Sequence, residues 1–348
     1  MHTKKSLIVQ SPGKANIHEE TLEELKPDQV LVRSVLSAFK HGTEMMTYDG
    51  SSPFLKKKLD SELRVFVDNS DEVQRHFYPR PLGNMTVGIV EAVGKEVQSV
   101  TVGEKVFGWL PVANYHVISA NKIQSLGELT PEQALCIDPG NFALGGVLDG
   151  EIRYGEKVLI TGLGAIGLLA VQYCKLSGAT VYAASSFALR RQLALEYGAD
   201  VVLDSNQVED LGVEIKRLSK GGVDLVLECS GRYPKLHQAV RATRQCGRVV
   251  CVGFYSGGAT ALNLGEEFFH NRITLLASLP AFSWNNPVRG PRPLYASELQ
   301  QLVIQDFQAK RITVEGLLRP IYEFKDAEKA VETIATQPET VIKVAIKY

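Results

Sequence analysis

Gly162-Leu163-Gly164-Ala165-Ile166-Gly167 has the spacing G-x-G-x-x-G, and the chemistry that spacing supports is phosphate binding. The motif is weak in isolation. Here it directly follows the apolar run Lys157–Thr161 and opens an apolar, helix-like stretch that ends near Ser177. In that context Gly162 permits a tight turn, and Gly164 lets the backbone approach a pyrophosphate. Gly167 lets the helix pack on the strand. The first N–H groups of the helix, at Ala165 and Ile166, and the positive end of its dipole then face the phosphates. The alternative is a glycine turn of an α/β domain that holds no ligand.

The end of the second strand selects the dinucleotide. An enzyme using NAD usually places an acid there, roughly 20 residues after the glycines, to bind the ribose 2′-hydroxyl. This chain has Ser185 and Ser186 at that point, followed by Arg190 and Arg191. Without a carboxylate nothing repels a 2′-phosphate, and an arginine can pair with it. The expectation is NADP(H), with NAD(H) and mere surface arginines as the alternative.

The elements that must position these groups divide the chain in three. Residues 4–130 read as mostly β, in short β-branched runs punctuated by Gly and Pro. Within them, residues 51–80 form a polar stretch with Lys56-Lys57-Lys58, read as a surface loop or small helical insertion, or else a lid. Residues 154–278 alternate near-continuous apolar strands with helical stretches, the pattern of a parallel sheet covered on both faces. That is a doubly wound Rossmann fold. Beyond Tyr295 come two further helices and a last strand.

The 348 residues suit about two domains. Lys and Arg number 38 against 39 Asp and Glu, so no field gathers nucleic acid or an anionic membrane. No apolar run reaches the roughly 18 residues of a bilayer span, and no secretory signal opens the chain, so the expected compartment is the cytoplasm. The five cysteines form no C-x-x-C pair and give no disulfide framework.

Several local stretches resemble one family. Ser37-Ala38-Phe39-Lys40-His41-Gly42-Thr43-Glu44 resembles its S-x-x-x-C-G-T-D. The run from Pro81 to Gly94 resembles its P-x-x-x-G-H-E-x-x-G-x-V-x-x-V-G, one residue shorter before the first Gly. Val102-Gly103-Glu104-Lys105-Val106 is similar to its G-D-R-V, and Tyr197-Gly198-Ala199-Asp200 to its L-G-A-D. The family is the medium-chain dehydrogenase/reductase superfamily, relatives of zinc alcohol dehydrogenase. The resemblance covers nearly the whole chain. It implies a GroES-like β-rich catalytic domain over residues 1–138, a Rossmann domain over 139–281, and a return to the catalytic domain over 282–348.

The same resemblance places the family's zinc ligands at His41, at Asn84-Met85 and at Asp138, and finds no cysteine-bearing structural zinc lobe. Asn and Met are poor zinc ligands, so no metal is expected. A side chain must then exchange the substrate proton. His41 is the candidate, with Asp138 to orient it and Thr43 matching the family's relay hydroxyl; the alternatives are a partly buried histidine bonded to backbone and a turn aspartate before Pro139. Phe254 and Tyr255 are expected near the nicotinamide; Trp109 stands where the family lines its substrate pocket, or is plain core, and Lys343 matches a basic residue that reaches the pyrophosphate in some members, with a surface lysine the preferred reading. The implied reaction passes a hydride between NADP(H) and a secondary alcohol or ketone. The Asp138-Pro139 pair leans the small-molecule substrate toward a polyol, sugar or cyclitol. The alternatives are a quinone or enoyl reductase and a non-catalytic NADP(H)-binding protein. The resemblance also implies a homodimer or homotetramer.

Overall fold

The computed structural model describes residues 3–280, 287–289 and 293–348. The chain forms two compact units, one of Met1–Leu135 with Leu318–Tyr348, the other of Cys136–Leu317. The first opens with strands β1 (Thr3–Ser11), β2 (Lys14–Thr21) and β3 (Gln29–Ala38), then helix α1 (His41–Asp49). Residues 51–80 hold a hairpin of β4 (Lys57–Leu59) and β5 (Phe66–Asp68) and a short helix α2 (Asp71–Arg75). There follow β6 (Arg80–Pro81), β7 (Met85–Val93), β8 (Lys105–Gly108), β9 (Tyr115–Ser119), β10 (Ile123–Ser125) and α3 (Pro131–Leu135).

The second unit begins with α4 (Ile137–Asp149), β11 (Lys157–Thr161), α5 (Ala165–Leu176) and β12 (Thr180–Ser185). It continues through α6 (Ala188–Glu196), β13 (Val201–Asp204), α7 (Leu211–Leu218), β14 (Val223–Glu228) and α8 (Tyr233–Ala242). It ends with β15 (Thr243–Cys251), β16 (Thr274–Ala277) and α9 (Ala296–Gln308). The chain then re-enters the first unit through β17 (Leu318–Glu323), α10 (Ala327–Thr336) and β18 (Lys343–Lys347). Among the described residues no helix is long and apolar enough to cross a membrane.

In the second unit the six strands are all parallel, in the order β13-β12-β11-β14-β15-β16. Val158, Leu159 and Ile160 of β11, and Leu225, Val226 and Leu227 of β14, are fully buried in succession. Strands covered on both faces carry such runs rather than an alternation. The order reverses between β11 and β14, and there the carboxyl ends of the strands open a crevice suited to a dinucleotide. Glycines let α4 lie close to its neighbours. A Cβ on Gly146 would come within 2.7 Å of the Val252 side chain, and one on Gly140 within 2.7 Å of Val303.

That last approach corrects a boundary. The expected return to the catalytic domain after residue 281 falls outside the described residues, and α9 beyond it still belongs to the second unit. Val303 of α9 packs on α4, so the division comes at 317/318 rather than at 281/282. The first division lies at 135/136, ahead of α4 rather than within it.

In the first unit β3 shows the period-two burial of a half-buried strand, with Val30, Val32, Ser34 and Leu36 inward. It is central to a sheet ordered β10-β8-β7-β3-β18-β17, with β9 also paired to it. Register matches Ala38 to Ala345 of β18 and to Met85 of β7. The end of β3 is therefore braced on both sides where it delivers the chain into α1.

Candidate functional site

The glycine turn of the second unit has the geometry its spacing implies. Gly162 sits at φ +81°, and a Cβ there would lie 2.5 Å from the Ser230 backbone nitrogen. Both facts require glycine. A Cβ on Gly167 would meet the Gly162 carbonyl oxygen at 2.3 Å, so this glycine sets the distance between helix and strand. Gly164 differs. It is the N-cap of α5, its φ is −81°, and a Cβ there would find nothing within 4 Å. The open space lies where a phosphate must approach. The N–H groups of Ala165, Ile166 and Gly167 precede the helical ladder, and the first turn carries no acid.

At the end of β12 the two arginines separate into different tasks. Arg191 bonds the Ser185 carbonyl at 2.9 Å and pairs with Asp204 at 2.7 Å, tying β12 to β13. Arg190 instead lays its guanidinium over the Phe187 ring, 4.7 Å from the centroid. Burial, and then the like charge of Arg232, push it down to about 10. The Ser185 hydroxyl accepts from the Phe187 N–H at 3.1 Å and shapes the turn, and Ser186 is half-buried beside it.

Sequence reasoning missed Glu228, fully buried at the end of β14. Its carboxylate accepts from the N–H groups of Ser230 at 2.9 Å and Gly231 at 3.0 Å, and from the hydroxyls of Ser230 and Tyr255. Burial and the Glu228 charge push the Tyr255 phenol far up. Tyr255 is thereby tied to the end of β14. Its hydroxyl is held inside the unit and its ring packs on Tyr233 at 5.2 Å. Phe254 remains 40% exposed. The signal for Glu228 was an acid closing an apolar strand.

In the first unit His41 opens α1, and its Nε2 accepts the Val344 N–H at 3.0 Å. The neutral ring therefore carries its proton on Nδ1. Becoming imidazolium would require that bond to break, so the ring is better placed to donate to an oxygen than to take a proton from one. Thr43 lies exposed on the same helix. Asp138 is buried in the first turn of α4 and belongs to the second unit.

Glu44 was quoted in the motif but not singled out. One carboxylate oxygen accepts the Lys40 N–H at 2.7 Å and the other the Gly83 N–H at 2.9 Å. Lys343 is not the surface lysine expected: it is 3% exposed, and it donates to the Phe39 carbonyl at 2.8 Å. Burial pushes Glu44 up to about 7, against the Lys40 and Gly83 N–H groups and the Lys343 charge, which pull it down. A raised carboxyl favours the fold while protonated and loses that advantage as pH rises through its folded value. Unfolding free energy of the wild type relative to Glu44→Gln should therefore fall by roughly 2–3 kcal/mol between about pH 4.5 and 7.5. Urea titrations of both proteins across that range measure it, and a flat difference would contradict it.

The family zinc site does not fit these residues. The Nε2 lone pair of His41 is already engaged, and Met85 is fully buried in β7. Asn84 offers an amide whose Nδ2 is buried without a partner among the described residues. No cluster of three or more His, Cys, Asp or Glu able to hold a metal occurs among the described residues. Catalytic zinc needs three such donors.

Comparison with known proteins agrees with this architecture. Residues 165–282 match the family described as zinc-binding dehydrogenase. The chain is 30% identical to D-guloside 3-dehydrogenase of Escherichia coli K12, over 99% of this chain and 100% of that one. A putative zinc-binding dehydrogenase from Sinorhizobium meliloti 1021, solved bound to NADP, superposes with a TM-score of 0.77 at 20% identity, covering 100% of both chains. Galactitol-1-phosphate dehydrogenase from Escherichia coli superposes with a TM-score of 0.75 at 19% identity, covering 99% of this chain and 100% of the other. The chain belongs to the medium-chain dehydrogenase/reductase superfamily, with the Rossmann unit and β-rich catalytic unit that define it. It is an oxidoreductase of that type.

Proposed function

We propose that this protein is an NADP(H)-preferring, zinc-independent dehydrogenase acting on a secondary hydroxyl of a sugar or polyol, or on the corresponding ketone. The observation that carries the cofactor reading is the open glycine turn at Gly164 together with Arg190 where an acid would select NAD. The substrate class is supported by the sugar and polyol relatives, D-guloside 3-dehydrogenase and galactitol-1-phosphate dehydrogenase. The same reading keeps the protein in the cytoplasm, as a homodimer or homotetramer.

When bound, the nicotinamide supplies or accepts the hydride. The chain does the rest. The N–H groups of Ala165, Ile166 and Gly167 hold the pyrophosphate, Ser185 and Ser186 shape the ribose end, and Arg190 neutralises the 2′-phosphate. His41 donates from Nδ1 to the substrate oxygen, polarising a ketone or stabilising an alkoxide. Thr43, exposed on the same helix as His41, passes the alcohol proton on to solvent.

The first test is a metal assay of purified protein with NADPH and NADH titrations and a panel of glycosides and polyols. The expected result is no stoichiometric zinc and tighter NADPH binding. One equivalent of zinc overturns the metal-free reading, and equal affinities overturn the cofactor preference. His41→Ala should lower kcat at least about 100-fold and leave the NADPH Kd within about 2-fold. Quinone reduction that survives the substitution would instead support C=C reduction.

A further inference from the structure

Three turns meet at the carboxyl edge of the second unit's sheet, because β12, β11 and β14 are neighbours there. The turn after β11 is the glycine turn, and that after β14 is Cys229-Ser230-Gly231-Arg232. They pack directly, since Gly162 has no room for a Cβ beside the Ser230 nitrogen. The turn after β12 carries Phe187 and Arg190.

The β14 turn is held tightly. Glu228 engages the N–H groups of Ser230 and Gly231, and the Ser230 hydroxyl in turn accepts the Arg232 N–H at 3.3 Å. Gly231 adopts φ +66° with its Cα hydrogen against the Phe254 carbonyl, where a Cβ would come within 2.4 Å. Arg232 is thereby fixed as the N-cap of α8, whose first turn holds no acid. Its side chain is exposed, yet its charge reaches Arg190 and opposes it. The turns that carry the two arginines flank the glycine turn at one edge of the sheet, and their like charges repel. A dianion between them turns that repulsion into two charge-assisted pairs. Arg191 cannot be a member, because Asp204 and the Ser185 carbonyl hold it.

We propose that Arg232 is a specificity residue, the second guanidinium of a two-sided clamp with Arg190 that selects a 2′-phosphorylated adenosine. The clamp rests on the NADP(H) reading above and adds a residue from a different turn. In this reading Arg190 is oriented by Phe187 and Arg232 by the Glu228-anchored turn, so the phosphate site is built by the fold and not by a lone surface charge.

The test measures binding of NADPH, NADH, 2′,5′-ADP and 5′-ADP to the full-length wild type, Arg232→Gln and Arg190→Gln. Arg232→Gln should weaken NADPH and 2′,5′-ADP by about 10- to 100-fold and shift NADH and 5′-ADP by less than about 3-fold. The double variant should lose less than the product of the two single losses, as partners on one phosphate do. Equal losses for phosphorylated and unphosphorylated ligands would overturn the clamp, and so would an Arg232→Gln protein that binds all four as the wild type does. A wild type that does not distinguish 2′,5′-ADP from 5′-ADP overturns the NADP(H) reading itself, before any variant is made.

Discussion

Gly164→Asp should leave the melting temperature unchanged or slightly raised, while NADPH and NADH both bind at least about 100-fold more weakly. The two halves of this expectation come from one feature. Gly164 lies at φ −81°, and a Cβ there meets nothing within 4 Å, so the fold has no objection to a side chain. Aspartate is also a better N-cap than glycine for a helix whose cap makes no side-chain hydrogen bond at present. The same carboxylate would occupy the approach of the pyrophosphate and oppose its charge at short range. Calorimetric binding beside thermal melting separates the two effects. A loss of stability without loss of affinity would mean that the space at Gly164 serves packing and not a ligand.

Glu228→Ala should destabilise the second unit by about 3–5 kcal/mol, and Tyr255→Phe by only about 1–2 kcal/mol. Glu228 is completely buried and takes donors from Ser230, Gly231 and Tyr255. Removing it strands those donors without water. Removing the Tyr255 hydroxyl deletes one donor and leaves the carboxylate with the Ser230 and Gly231 N–H groups. Urea denaturation followed by fluorescence from the Rossmann unit tests the ranking. Equal costs, or a cost below about 1 kcal/mol for Glu228→Ala, would show that the turn is held by packing instead.

The alternating strands and helices of the second unit were legible because its strands are buried on both faces and so read as unbroken apolar runs. The glycine turn was legible because each glycine answers a local steric demand. The hairpin within residues 51–80 was not. Its strands are Lys57–Leu59 and Phe66–Asp68, too short and too polar to show a period. The tasks of individual polar residues were least legible, because they depend on distant partners. His41 meets the N–H of Val344, and Tyr255 meets Glu228 across another turn. Arg190 and Arg191 are adjacent in sequence, yet only the fold shows that Arg191 pairs with Asp204 while Arg190 lies over the Phe187 ring. Glu44 matched an acidic position of the family motif, but its burial beneath Gly83 and beside Lys343 appears only in three dimensions.

The interleaving of the two units bears on the order in which a growing chain acquires structure. Strand β3 pairs along one edge with β7; along the other, β9 covers Gln29–Arg33 and β18 covers Leu36–Ala38, where the Ser37 hydroxyl bonds the phenol of Tyr348. Among the described residues, the six sheet strands of the Cys136–Leu317 unit all precede β18 in the sequence. Emerging from the ribosome, the first 135 residues therefore expose an unfilled sheet edge while a whole unit is made behind them. Sealing of that edge waits on β18, so a chain halted after Leu317 would carry the strands of the second unit while the first is still open.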